Sequence, residues 1–262
     1  MADLKLFKPW SVNLGAVSSG FRNARVGGDN LIDSVRSDGA TYTDLVQQMQ
    51  KRPVFSCELL DPSLITSFQA IGAGETYTSL SAIWRAISDE AGPAGSYLSF
   101  SAALAAIMPV SLQAPFGSIA TLEVQAMIRF NGGVGYVIGT SSGTQATVAK
   151  AFRASSLAIG SDTVLQIQSA AVQWQHNTIQ EELLEPDHYG YDSLDLSGSA
   201  QLSDLALVNI ARLEDGSTET VTLTLTDLND GGNTVAISFG SCDVKAEISG
   251  KTANITWTKL QG

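Results

Sequence analysis

Residues 120–130 read Ala-Thr-Leu-Glu-Val-Gln-Ala-Met-Ile-Arg-Phe. Ala120, Leu122, Val124, Ala126, Ile128 and Phe130 alternate with Thr121, Glu123, Gln125, Met127 and Arg129. A strand sends successive side chains to opposite faces, so a period of two predicts one long, half-buried strand. The same period recurs on both sides of this stretch. Val221, Leu223 and Leu225 alternate with Thr220, Thr222, Thr224 and Thr226, and Val235, Ile237 and Phe239 follow the turn Asn229-Asp230-Gly231-Gly232. That combination predicts a hairpin. Val244, Ala246 and Ile248 lead through Ser249-Gly250-Lys251 to Ala253, Ile255 and Trp257, a second hairpin. Trp10, Val12 and Leu14 alternate near the start. Between Leu165-Ile167 and Val172-Trp174 the apolar phase switches, which predicts a bulge.

Helix signals are few. Thr43–Met49 reads as a short helix capped by Thr41 or Thr43. Asp61-Pro62-Ser63-Leu64-Ile65-Thr66-Ser67-Phe68 is sharper. Asp61 can accept the free N–H groups of a first turn, and Pro62 suits the first helical position. Leu64, Phe68 and Ile71 then share a face and Gly72 can end the helix. Long alternation of strand and helix is absent, which argues against a doubly wound nucleotide-binding sheet.

Composition narrows the function. The 262 residues carry a formal charge of −11, with 44% hydrophobic and only 16% charged residues. Such a chain has enough apolar material to fold and too little positive charge to grip phosphates. Two Cys and two His exclude zinc-finger arrays and disulfide scaffolds. Cys57 and Cys242 are expected to be reduced, buried thiols of a protein folded in a cytoplasm. The N-terminus lacks a signal-peptide pattern, and the apolar run Leu98–Val110 is too short to span a bilayer. No membrane partner is expected.

The halves share a layout. Asp61 precedes an apolar helix face, a glycine loop at 72–75 and a strand near Thr76; Ser203 precedes Leu205, Val208 and Leu213, a loop at 214–217 and a strand near Thr218. Each segment follows a strand, 54–60 and 194–201 respectively. The natural divide is the Gly/Ser-rich stretch 131–143.

Four motifs invite chemical readings. Gly139-Thr140-Ser141-Ser142-Gly143 matches the nucleophile elbow G-x-S-x-G, with His176 and His188 downstream as bases, but the flanks lack an α/β pattern and a loop is the expected reading. Asp227–Gly232 resembles the start of a calcium loop, yet its twelfth position is Ser238 and not a bidentate Glu, so a hairpin turn is expected. Ser249-Gly250-Lys251-Thr252 ends like a phosphate loop, but Lys245 stands where the first glycine belongs. Glu181, Glu182, Glu185, Asp187, Asp192 and Asp195 surround His188, Tyr189 and Tyr191; a solvated loop, a cation or paired-carboxylate site, and a contact arm all remain open. Trp10, Trp84, Trp174 and Trp257 are scattered through expected strands and read as core. No catalytic, cofactor or metal residue is assigned, and no cofactor is expected.

Strand, short helix (DPSLITSFQAIG), loop and several long strands form a unit that resembles the β-sandwich with flanking helix of tail-tube proteins in tailed bacteriophages. The resemblance covers most of the chain as a pattern of elements. It implies a non-enzymatic virion protein, folded in the host cytoplasm, whose rings stack into a tube. DNA would pass through without specific binding, and other tail proteins would be partners. Two fused units imply a trimeric ring with pseudo-sixfold symmetry, and the segments Ala2–Val17 and Ser18–Thr41 are candidate contact arms. The expected fold is therefore mainly β: two tandem β-sandwich-like units, each with a short flanking helix. The first, 1–142, includes the N-terminal arm, and the second is 143–262. Other virion roles (capsid decoration, head–tail joining) and a carbohydrate-binding sandwich are the alternatives.

Overall fold

The computed structural model describes residues 7–15, 17–28, 31–35, 45–50, 53–68, 77–87, 96–130, 135–146, 150–165, 167–180, 189–203 and 217–260. It is mainly β and antiparallel. In the first half the strands are β1 (Phe7–Leu14), β2 (Val17–Ser19), β3 (Phe21–Gly28), β4 (Leu31–Val35), β5 (Leu45–Gln50), β6 (Pro53–Leu59), β7 (Thr78–Ala86), β8 (Tyr97–Ala114), β9 (Thr121–Ile128) and β10 (Val137–Gly139). In the second they are β11 (Phe152–Ile159), β12 (Asp162–Val164), β13 (Ile167–Gln180), β14 (Tyr189–Ser203), β15 (Ser217–Asp227), β16 (Thr234–Ser249) and β17 (Thr252–Lys259).

The deciding stretch becomes β9. Leu122, Val124, Ala126 and Ile128 are buried, while Glu123, Gln125 and Met127 are half-buried. β9 lies between β6 and β8, with Val124 opposite Cys57 on one side and Pro109 on the other. Both expected hairpins form. β15 and β16 are joined through residues 228–233, and β16 and β17 through the turn at Gly250, whose φ is +61°. The phase switch near 167 is a shift of register against β14 between Ile167 and Ser169.

In the first half the pairing runs β2-β1-β7-β8-β9-β6-β3. In the second it runs β12-β11-β15-β16-β17-β14-β13. β13 then pairs with β8, Val172 opposite Leu112, and joins both series into a 15-stranded sheet. Buried side chains from both halves form one connected core, including Phe55, Phe100, Leu122, Phe239 and Trp257. The sheet curls back on itself. Phe55 of β6 stacks on Phe100 of β8 at 5.7 Å although β9 separates those strands. Phe21 of β3 meets Trp84 of β7 edge-on at 5.7 Å.

Asp61 behaves as its position suggests. Its carboxylate accepts from the Ser63 N–H at 3.0 Å and caps a 3-10 turn over Pro62–Leu64, which continues into α1 (Ile65–Phe68). Ile71, Gly72 and the segment after Ser203 lie outside the described residues.

Two expectations need correction. Of the helix expected over Thr43–Met49, residues 43–44 lie outside the described residues and the rest is strand: Leu45–Gln50 is β5, paired with β4 in a separate two-stranded sheet. Seven residues are too few for a helix to repay its nucleation, whereas a hairpin partner satisfies the same backbone groups at once. Of the stretch Ala2–Val17, expected as an arm, Phe7–Leu14 is an inner strand between β2 and β7, with Val12 and Leu14 buried. The stretch 18–41 contributes β3 and β4.

Candidate assembly surface

An antiparallel sheet that is not closed leaves rows of backbone N–H and C=O groups at its borders. Among the described residues β2, β3 and β12 are paired along one side only. β10 covers three residues of β8 and pairs with no other strand. Large apolar side chains accompany these borders. Val137 and Ile138 of β10 are exposed, and so are Val26 of β3 and Ile248 of β16. Phe116, Leu165 and Leu228, exposed by 82%, 72% and 51%, line a cleft of about 580 Å³ at the end of the sheet where β8, β11, β13 and the 228–233 turn converge. Arg153 and Gln168 add its polar edge. Exposed apolar groups gathered in one place mark contact surfaces more often than bystanders.

The residues singled out in the sequence have other work. Ser141 sits beside the start of β8, its N–H donating to Ser99 Oγ at 3.1 Å. Trp10 Nε1 donates to the Gly143 carbonyl at 2.8 Å, and a Cβ at Gly143 would run into Ile83 Cδ1. The glycine and serine spacing therefore reflects close packing of this segment on β1, β7 and β8, and its described part is anchored there. His176, on β13, donates from Nε2 to the Pro109 carbonyl at 2.7 Å. Burial pulls its pKa below the ordinary range, and this hydrogen bond opposes that pull. Ser99 and Pro109 are ten residues apart on β8, about 30 Å of strand. Ser141 and His176 are thus held at opposite ends of that strand and form no nucleophile–base pair. His188 lies outside the described residues.

Asp227 is a turn organiser. It accepts from the N–H groups of Asn229 at 3.0 Å and Ala151 at 3.2 Å, and from Asn233 Nδ2 at 3.3 Å. The hydrogen bond from Asn229 leads in holding its carboxyl below the usual Asp value, against the opposing effect of burial. Ser249–Thr252 forms the tight turn between β16 and β17 and opens no helix. No group of three His, Cys, Asp or Glu suited to a metal is present among the described residues. Of the acidic segment, 181–188 lies outside the described residues, and Asp195 falls within β14 opposite Gln175. All four tryptophans lie in strands; Trp174 and Trp257 are buried. Cys57 and Cys242 are free and buried. Burial, then Glu58 and Glu123, pushes the Cys57 thiol up to about 12.

The chain matches no protein-family model and no curated protein sequence. No described helix is long and apolar enough to cross a membrane. Sequence reasoning read Ile248 only as part of a hairpin strand and missed Val26, because alternation alone does not say which stretch of a strand goes without a neighbour.

Proposed function

We propose that this chain is a structural subunit that assembles with copies of itself, and that the assembly is the ring-stacked tail tube of a phage-like particle. The observation that carries the reading is the set of strand borders left unpaired among the described residues and flanked by exposed apolar side chains. Of these borders β3, eight residues long, offers the longest row of backbone groups. Added strands from a neighbour satisfy the same backbone groups and give a directional contact. The acidic balance, −11 overall, suits a conduit, because it repels passing phosphates instead of holding them. The packing roles found for Ser141 and His176 support a non-catalytic reading. The tube itself rests on the pattern-level resemblance, and in it three copies complete a pseudo-sixfold ring.

Sedimentation velocity over a wide concentration range, with negative-stain images of the heaviest species, tests this. Rings or tubes are expected. Discrete caps or spikes would favour a decoration or joining role, and a monomer at every concentration would end the proposal.

A further inference from the structure

We infer that β3 of one copy adds to the open border of β16 in a second copy, with Val26 set against Ile248, repeating between chains the contact that β13 makes with β8 inside one chain. The inference rests on the self-assembly reading above.

It follows from the ladders. The two strand series have the same order, so each β-pair in one has a counterpart in the other. Leu59 faces Leu122 in the first series, as Leu202 faces Ala253 in the second. Four residues along, Phe55 faces Ala126 as Gly198 faces Trp257. The large and small members have changed places, which conserves volume at one packing position. Outward from these pairs, Val26 faces Phe55 and Val172 faces Gly198. Both β3 and β13 shift register just before, at 22–25 and 167–169. Val26 and Val172 are therefore counterparts. On the other side Leu112 faces Leu122 and Ile248 faces Ala253, so Leu112 and Ile248 are counterparts too.

Within the chain Val172 and Leu112 are directly opposed, and both are 0% exposed. Their counterparts have no such cover: Val26 is 45% exposed and Ile248 is 41% exposed. Both receiving borders are built alike. β7 stops opposite Ala105, which frees the border of β8 that β13 takes. β15 starts opposite Val244, which leaves residues 245–249 of β16 without a strand on that side among the described residues. Likewise, among the described residues β3 pairs only with β6. Carrying the intrachain register across puts Arg25 opposite Ser249 and diagonal to Glu247, both Arg25 and Glu247 being exposed. The matching intrachain positions are uncharged: Ala171, Gln113 and Ser111. Opposite charges at this one place suit a contact that must form between separate molecules. The contact is head-to-tail, using different surfaces on each partner, so it propagates into a ring when the rotation closes.

Cysteine cross-linking tests the register. Directly opposed residues in an antiparallel pair lie about 4.5–5.5 Å apart, within disulfide reach. Full-length chains carrying Val26→Cys or Ile248→Cys are oxidised separately and as an equimolar mixture. Only the mixture should give a disulfide-linked dimer, and the double variant should give covalent multimers; the buried Cys57 and Cys242 do not interfere. Dimers from Val26→Cys alone would mean a symmetric contact and overturn the inference. Absence of cross-links while the wild type assembles would overturn it and leave the assembly reading standing. A wild type that stays monomeric would overturn both. As an independent readout, Arg25→Glu and Glu247→Arg should each raise the concentration needed for assembly about tenfold, and the two together should restore it. Circular dichroism confirms folding of these exposed-site variants.

Discussion

Gly198→Ala probes the tightest packing in the second strand series. A Cβ at Gly198 would stand 2.7 Å from Trp257 Nε1 and closer still to Cζ2 and Cε2. Ordinary contact begins at 3.4 Å, so the indole must retreat. It has little room, since Trp257 is 1% exposed and its ring meets Phe239 at 5.4 Å. Overpacking of a dense core costs about 1–3 kcal/mol. Alanine recovers about 0.4–1 kcal/mol by restricting the unfolded chain. The net loss expected is about 1–2 kcal/mol, or a fall in Tm of about 2–8 °C for a chain of this size. Urea unfolding followed by far-UV circular dichroism measures it, at one protein concentration because assembly adds stability by mass action. Trp257→Phe removes the indole atoms that clash. In that background the alanine should cost at least about 0.5 kcal/mol less. A neutral or stabilising Gly198→Ala, or strict additivity with Trp257→Phe, would refute the packing argument.

Three further outcomes are expected. Neither Cys57 nor Cys242 should react with a thiol reagent at pH 8 in the native protein, because burial raises both thiol pKa values and blocks access; both should react in denaturant, and rapid native labelling would contradict their placement. Asp227 has a depressed pKa, so its contribution to stability is present above the ordinary value of 3.8 and is lost as pH falls through the lower folded value. Asp227→Asn should therefore destabilise the protein at pH 7 and leave a shallower acid limb in a stability–pH titration; an unchanged limb would count against the turn-organising role. A fluorophosphonate probe should label neither the wild type nor Ser141→Ala, and serine-dependent labelling would revive the hydrolase reading.

Short-range pattern was legible wherever one face of a strand is buried. β9, β15, β16 and β17 follow from alternation, because a slip of one residue would turn every apolar side chain to water. Asp61 and its turn were legible because the cap satisfies backbone donors locally. The segment 43–49 misled, since a few residues with mixed polarity suit either state and a distant partner chose the strand. Gly139–Gly143 matched a catalytic pattern by spacing alone, and the loop expected there holds its glycine for a close approach to Ile83.

From its residues alone this protein is committed to being an acidic, strand-rich fold, because periodicity and composition act along the chain. Which borders stay unpaired among the described residues was decided only in three dimensions. Val172 and Val26 look equivalent as sequence, yet one is sealed against Leu112 and the other is exposed. Backbone pairing between distant strands makes that distinction, and nothing in the alternation of neighbouring residues encodes it.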